Sequence, residues 1–350
     1  MYRINLIKAA MALIAVATIC LIGCSNKSDQ ETLTVATPNM DSIATQVAAV
    51  ASKETGPKYV RIETPSDTST AVASTIYDLA VNDSLAIVAF DDGVLTYDLT
   101  QNTHSRIQAG KPLTSAVWHD GIAYAGGDKL YRIEGNALAI VEDAPAAPIT
   151  SLYSYGSLLM IGTESGLFAK SPIGTTSLME GVFVTSIVAD NNGLWVGTDG
   201  QGLYRYDGTN FNKRFLVRDS SLFDYVNCLD FGHGYLYLGT DSGLYVFDGG
   251  RWQTLTVASG LPSDNITAID ASGWVVYIGT EAGVITYFKD EFKPLKSLES
   301  ICATVLKSSS KGLLVGTDTE GLLLRSGSAV RTLVAPKGMN DLAIDWPANQ

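Results

Sequence analysis

The chain has 350 residues, 46% of them hydrophobic and 17% charged, with 24 basic against 36 acidic side chains and a formal net charge of −12. An excess of acid argues against nucleic-acid binding, which begins by neutralising phosphates, and against broad contact with anionic headgroups. Once a leader is set aside, the length fits one large domain of about 310 to 320 residues.

The leader comes first. Arg3 and Lys8 precede an apolar run, and Leu21-Ile22-Gly23-Cys24 matches a bacterial lipobox, so residues 1–23 are expected to be a signal peptide and Cys24 the lipidated N-terminus. The apolar stretch 9–23 holds 15 residues, short of the ~20 that a membrane-spanning helix needs. Its removal leaves 22 basic against 36 acidic side chains, a charge of −14. Residues 24–31 are polar and read as a tether. Similarity to Gram-negative lipoproteins makes Ser25, which is not Asp, an outer-membrane signal; the periplasmic and surface faces both stay open.

Residues 32–74 have two readings. In one, 33–37, 42–50 and 59–63 are three strands of a composite blade; in the other, 42–53 is a short helix capped by Asp41 and ended near Gly56.

From 75 onward one phrase recurs seven times: an apolar strand, a polar gap, a second strand ending in Gly-Thr or its variant (Ala89-Phe90 and Gly126-Gly127 in the first two units), an acidic turn, then typically Gly-Leu and a third strand. The clearest copies are Leu194-Trp195-Val196-Gly197-Thr198-Asp199, Leu236-Tyr237-Leu238-Gly239-Thr240-Asp241 and Val276-Tyr277-Ile278-Gly279-Thr280-Glu281. The Gly column falls at Ala89, Gly126, Gly162, Gly197, Gly239, Gly279 and Gly316, with spacings of 37, 36, 35, 42, 40 and 37. A period near 40 with four short strands per unit predicts an all-β fold, a β-propeller over 75–338. In the fourth unit the strands a to d are expected at 184–188, 194–198, 203–207 and 212–217. The Gly after each acidic turn is assigned a positive φ. Met339-Asn340-Asp341-Leu342-Ala343-Ile344-Asp345 resembles one more strand a, so 339–350 is read as a closing strand. It would complete an eighth blade with 32–74, or the ring closes with seven.

Beyond the lipidated Cys24, Cys228 and Cys302 are the cysteines left in the mature chain. Both are placed on strands a, two blades apart and in different columns, and are expected unpaired. His119 and His233 are assigned to a–b gaps and His104 to a c–d gap, on blades that are not all neighbours; they read as solvated loop histidines, with no metal site and no catalytic set.

The b–c turns give the candidate site. Asp91, Asp92, Asp128, Glu164, Asp199, Asp241, Glu281 and Asp318 form an acidic ring at one end of the propeller. Two explanations stand: each acid satisfies backbone N–H groups of its own turn, or the ring recruits a structural cation or a basic partner. No other cofactor is indicated. Trp195, Tyr204, Tyr206, Tyr235, Tyr237, Tyr245 and Phe247 are assigned to the core between blades, with Trp118 and Trp252 nearer the surface.

Leu261-Pro262-Ser263-Asp264-Asn265-Ile266-Thr267-Ala268-Ile269-Asp270, with the Val276 to Val284 strand pair after it, resembles the two-component regulator propeller repeat, as does 184–207. That resemblance implies an extracytoplasmic sensor, often of glycans. The family's membrane helix and kinase are not found in this sequence. A looser similarity is to eight-bladed propeller lipoproteins of the outer-membrane assembly machinery. The reading is a non-catalytic, lipid-anchored binding, sensing or scaffold module for a protein or glycan; the alternative is a propeller lyase or quinoprotein.

Overall fold

The computed structural model describes residues 59–63, 75–206, 210–214 and 225–335. Among these residues seven antiparallel four-stranded sheets follow one another, at 76–108, 115–141, 149–180, 184–214, 228–255, 266–299 and 303–334. Each inner strand a packs on the next, and the strand a of the seventh blade, Ala303–Ser309, packs on that of the first, Ile76–Asn82. This is a seven-bladed β-propeller. In the fourth blade the strands are Val184–Asp190, Gly193–Thr198, Leu203–Tyr206 and Phe211–Arg214, where the repeat put them.

The Gly column explains how the blades come so close. A Cβ on Gly126 would lie 2.5 Å from Ile149 Cγ2, on Gly162 2.6 Å from Val184 Cγ1, and on Gly316 2.6 Å from Ile76 Cγ2. Each of these Gly residues therefore receives the first side chain of the following blade, and only a hydrogen fits there. The Gly316 contact carries the pattern from the last blade to the first, so the ring closes without an eighth. Thr304 adds a hydroxyl donated to the Ile76 carbonyl, as Thr114 donates to the Ile149 carbonyl at 2.6 Å.

The strand expected as the outer edge of an eighth blade, Tyr59–Glu63, has another partner. It lies antiparallel on Ala137–Val141, with Tyr59 opposite Val141 and Glu63 opposite Ala137, as a fifth strand of the second blade. An exposed outer strand offers a row of unpaired backbone groups, and this segment covers one such row. The other parts of the composite-blade and helix readings, 33–37, 42–53 and 339–345, lie outside the described residues, as does Cys24. Among the described residues no helix is long and apolar enough to cross a membrane.

The Thr of Gly-Thr builds the b–c turn. The hydroxyls of Thr163, Thr240 and Thr280 donate to the carbonyls of Gly166, Gly243 and Gly283 at 2.9, 3.0 and 2.9 Å. The same oxygens accept the N–H groups of Ser165, Ser242 and Ala282. Gly321 shows why Gly follows: its φ is +75°, and a Cβ there would lie 2.0 Å from the Val334 carbonyl.

Candidate functional site

The eight acids do occupy the b–c turns, which share one end of the ring with the d–a connections. Five of them have side chains engaged locally. Asp92 pairs with Arg106 at 2.7 Å and accepts from Gln108; Asp128 pairs with Lys111 at 2.6 Å and accepts from Tyr131; Asp241 accepts from Asn227; Glu281 accepts from Ser263 and Asn265. Asp318 accepts from Thr319, and Asp91 and Asp199 have partners of their own. Of Glu164, the backbone N–H donates to the Pro148 carbonyl. In the five blades that carry Gly-Thr, Thr hydroxyls clasp the turns. Among the described residues no group of three His, Cys, Asp or Glu side chains is close enough to hold a metal ion.

The channel enclosed by the inner strands is a polar space of about 440 Å³, lined by Asp78, Tyr153, Cys228, Asp230 and Lys307 among others. Its carboxylates brace neighbouring blades. Asp78 accepts the N–H groups of Leu79 and Ala116, and Asp230 those of Phe231 and Ala271. Burial pushes the Asp78 carboxyl up to about 6 against the opposing pull of those N–H groups and of Lys307. Burial, helped by Asp230, pushes the Cys228 thiol up to about 12, which leaves it protonated and unreactive. Both Cys228 and Cys302 are free; Cys302 precedes the seventh blade's strand a, two positions before the column that the repeat alignment gave it.

Two histidines are not where the repeat put them. His119 ends a strand a, is buried, and has Nδ1 2.9 Å from Ser154 Oγ on the next blade. His104 lies within a strand d, stacked on Tyr97 with ring centroids 6.1 Å apart. His233 is the exposed loop histidine, and it marks a site at the end of the ring opposite the acids.

There, between the fifth and sixth blades, a groove of about 390 Å³ is walled by Tyr235, Tyr237, Tyr287, Phe288 and Trp274 and rimmed by His233, Gln253, Lys289 and Asp290. Its origin is one longer loop. In six blades strands a and b are joined by two residues, but in the sixth Ile266–Asp270 and Val276–Thr280 are joined by five, 271–275. The insertion carries Trp274, 89% exposed.

That loop is held at its base and near its tip. The Ala271 N–H donates to Asp230 at 2.7 Å, the Ser272 hydroxyl to Asp270 at 2.6 Å, and His233 Nε2–H to the Gly273 carbonyl at 2.6 Å. A large indole thus stands in water on a braced backbone, an ordering cost met before any ligand arrives.

The c–d turn of the sixth blade forms the other wall. Lys289 and Asp290 have φ of +50° and +62°, a two-residue hairpin turn of the type that favours Asn-Gly. Asp290 accepts the Tyr287 hydroxyl at 2.7 Å, which pins the turn to the groove floor. Burial first, then this carboxylate, raises the Tyr287 phenol, and burial with Tyr235 and Asp290 pushes Tyr237 up to about 12. Both phenols stay protonated; Tyr287 spends its proton on Asp290 and can still accept. The rings stand at steep angles, Tyr237 to Tyr287 at 77° and 6.4 Å, and Tyr235 to Tyr237 at 45° and 6.4 Å.

The sequence reading put Tyr235 in the core, but it is 42% exposed; Trp195, Tyr206, Tyr237 and Tyr245 are buried as expected. Trp118 and Trp252 are half-buried, Trp252 stacked on Phe247 at 4.7 Å. Trp274 had no part in the sequence reading. Its signal was the three-residue excess of the a–b gap in the sixth repeat.

The ring and its end-on groove are those of a seven-bladed β-propeller. The family model described as two component regulator propeller matches residues 177–200, so the chain carries that repeat. Among solved structures, the extracellular domain of the hybrid two component system BT3049 from B. thetaiotaomicron is similar at a TM-score of 0.60 and 18% identity, over 76% of this chain and 40% of that one. The extracellular domain of the one component system BT4673 from the same organism is similar at 0.58 and 18%, over 76% and 39%. The chain therefore spans about two fifths of the length of these domains, and at such identity the likeness is one of fold. The WD40 propeller domain of Doa1 is similar at a TM-score of 0.54 and 13% identity, over 74% of this chain and 96% of that one. No curated protein matches the sequence.

Proposed function

We propose that this chain is a lipid-anchored, extracytoplasmic propeller without catalytic activity that binds a glycan in the groove between its fifth and sixth blades. The observation that carries the reading is Trp274, 89% exposed on a braced loop above a wall of Tyr and Phe rings. Exposed aromatic faces supply apolar contact, and the phenols and rim side chains supply hydrogen bonds that orient a polyol. The similarity in fold to the extracellular domains of a hybrid two component system and a one component system supports a binding role. A scaffold role by comparison with eight-bladed assembly lipoproteins loses its main support with a seven-bladed ring.

Trp274→Ala is expected to weaken glycan binding by about thirtyfold, the ~2 kcal/mol of a central aromatic contact, with an unchanged circular dichroism spectrum. Calorimetry on ligands found by a glycan array measures it. Equal affinity in the variant would remove the groove as the site.

The anchor is tested separately: Cys24→Ser is expected to move the protein from the membrane pellet to the soluble fraction, still folded. A variant that pellets with membranes in high salt would refute lipidation.

A further inference from the structure

The groove carries charge as well as aromatic surface, and its charges are not equally committed. His233 spends Nε2–H on the Gly273 carbonyl, and Asp290 receives the Tyr287 hydroxyl. Lys289 is different. Among the described residues no carboxylate lies within ion-pairing distance of its ammonium, which sits 5.2 Å from the centroid of the Phe288 ring, at the groove wall. Arg106, Lys111 and Lys170 lie beside Asp92, Asp128 and Asp143, while Lys129, Lys296, Lys311 and Arg251 have no acid within ion-pairing distance among the described residues; of the uncommitted cations only Lys289 borders the groove.

The position also costs something to keep. Lys289 and Asp290 both take the left-handed conformation that a Gly would adopt more cheaply. A lysine stands where this turn favours a short Asn or Gly, and it places an ammonium beside the rings.

We propose that the groove selects an acidic saccharide, a sugar bearing a carboxylate or a sulfate ester, with Lys289 as the specificity-determining residue; this rests on the glycan-binding reading of the same groove. The pyranose ring meets Trp274 and Tyr235, and the anionic substituent meets the Lys289 ammonium at the Phe288 wall. Lysine is a compact point charge with three rotatable donors, so it suits either anion.

The test uses the full-length protein and matched oligosaccharides at physiological salt, where the Debye length is about 8 Å and charges farther off are screened. Probes are oligogalacturonate, the same oligomer fully methyl-esterified, a sulfated carrageenan oligomer and a chitosan oligomer. Wild type is expected to prefer the carboxylate form to its neutral ester by about tenfold, the increment of one charge-assisted hydrogen bond. Lys289→Gln should reduce that preference to within about twofold while the ester still binds, Lys289→Arg should restore it, and Trp274→Ala should lose both ligands.

The carrageenan arm tells sulfate from carboxylate as the preferred anion; preference for either over the ester supports the proposal. It is overturned if the ester binds as tightly as the acids, if Lys289→Gln keeps the preference, or if chitosan binds best, which would make Asp290 the recognising group. Equal binding of acid and ester with loss in Trp274→Ala would refute the charge selection alone. Failure of every probe to bind wild type would sink the glycan reading together with it.

Discussion

Asp270→Ala is expected to cost about 3 to 5 kcal/mol, the sum over buried donors left without an acceptor at about 1 to 3 kcal/mol each, with the serine hydroxyls free to turn elsewhere. Asp270 has no solvent exposure, and its carboxylate accepts the hydroxyl of Ser272 on its own blade and both the N–H and the hydroxyl of Ser308 on the next. Alanine would strand the Ser308 N–H in a dry interface and free the base of the Trp274 loop. At about 2 °C per kcal/mol for a domain of this size the melting temperature should fall by roughly 6 to 10 °C. Asp270→Asn, which keeps one acceptor, should lie between. A calorimetric midpoint within about 2 °C of wild type would show that this carboxylate is not the brace between the sixth and seventh blades.

Gly316→Ala has the second largest expected effect. The added carbon would lie 2.5 Å from Val305 Cγ1 and 2.6 Å from Ile76 Cγ2, well inside contact distance. Forcing apart two β-branched side chains on neighbouring blades is overpacking, which costs about 1 to 3 kcal/mol. The melting temperature should drop by about 2 to 6 °C. Gly250→Ala is the control: its nearest heavy atom would be Asp248 Oδ1 at 3.6 Å, an ordinary contact. Similar midpoints for the two variants would mean that the seam relaxes freely and that the Gly column has another cause.

Much of this architecture was legible in the residue pattern because a propeller repeats one solution. The Gly-Thr step recurs where two blades touch, and its period alone located the strands. Its physical reason was less legible: the Gly after the acidic turn does have the expected positive φ, but the Gly of Gly-Thr answers to a side chain of the following blade, as Gly162 does to Val184 and Gly316, across the seam, to Ile76. A local pattern identifies a strand without naming its partner, which is why Tyr59–Glu63 was assigned to a new blade and lies instead on the second.

The candidate site was harder. Repeat logic draws attention to what recurs, and the acids recur because turns do. The groove depends on a departure from the repeat, the five-residue gap that carries Trp274, together with a turn where Lys289 and Asp290 stand in place of Asn-Gly.

Seven blades close this ring, yet only six of the seven joints have a linker across them. The remaining one brings Ile76 against Gly316 and Thr304, residues 228 apart in sequence in the hydrogen-bonded pair. Where a linker spans a joint, two parted blades stay at high local concentration and reclose quickly. At the seam they are joined only through the rest of the ring, and the entropy of closing a long loop falls on that interface alone. Opening therefore begins at one address, between the last blade and the first, and the free energy of the whole circle is only as firm as its unlinked joint. Gly239→Ala, whose added carbon would lie 2.6 Å from both Cys228 Sγ and Ile266 Cγ2 across a joint spanned by residues 256–265, measures comparable crowding without that penalty, and the excess cost of Gly316→Ala over it estimates the share that covalent continuity contributes to the other six.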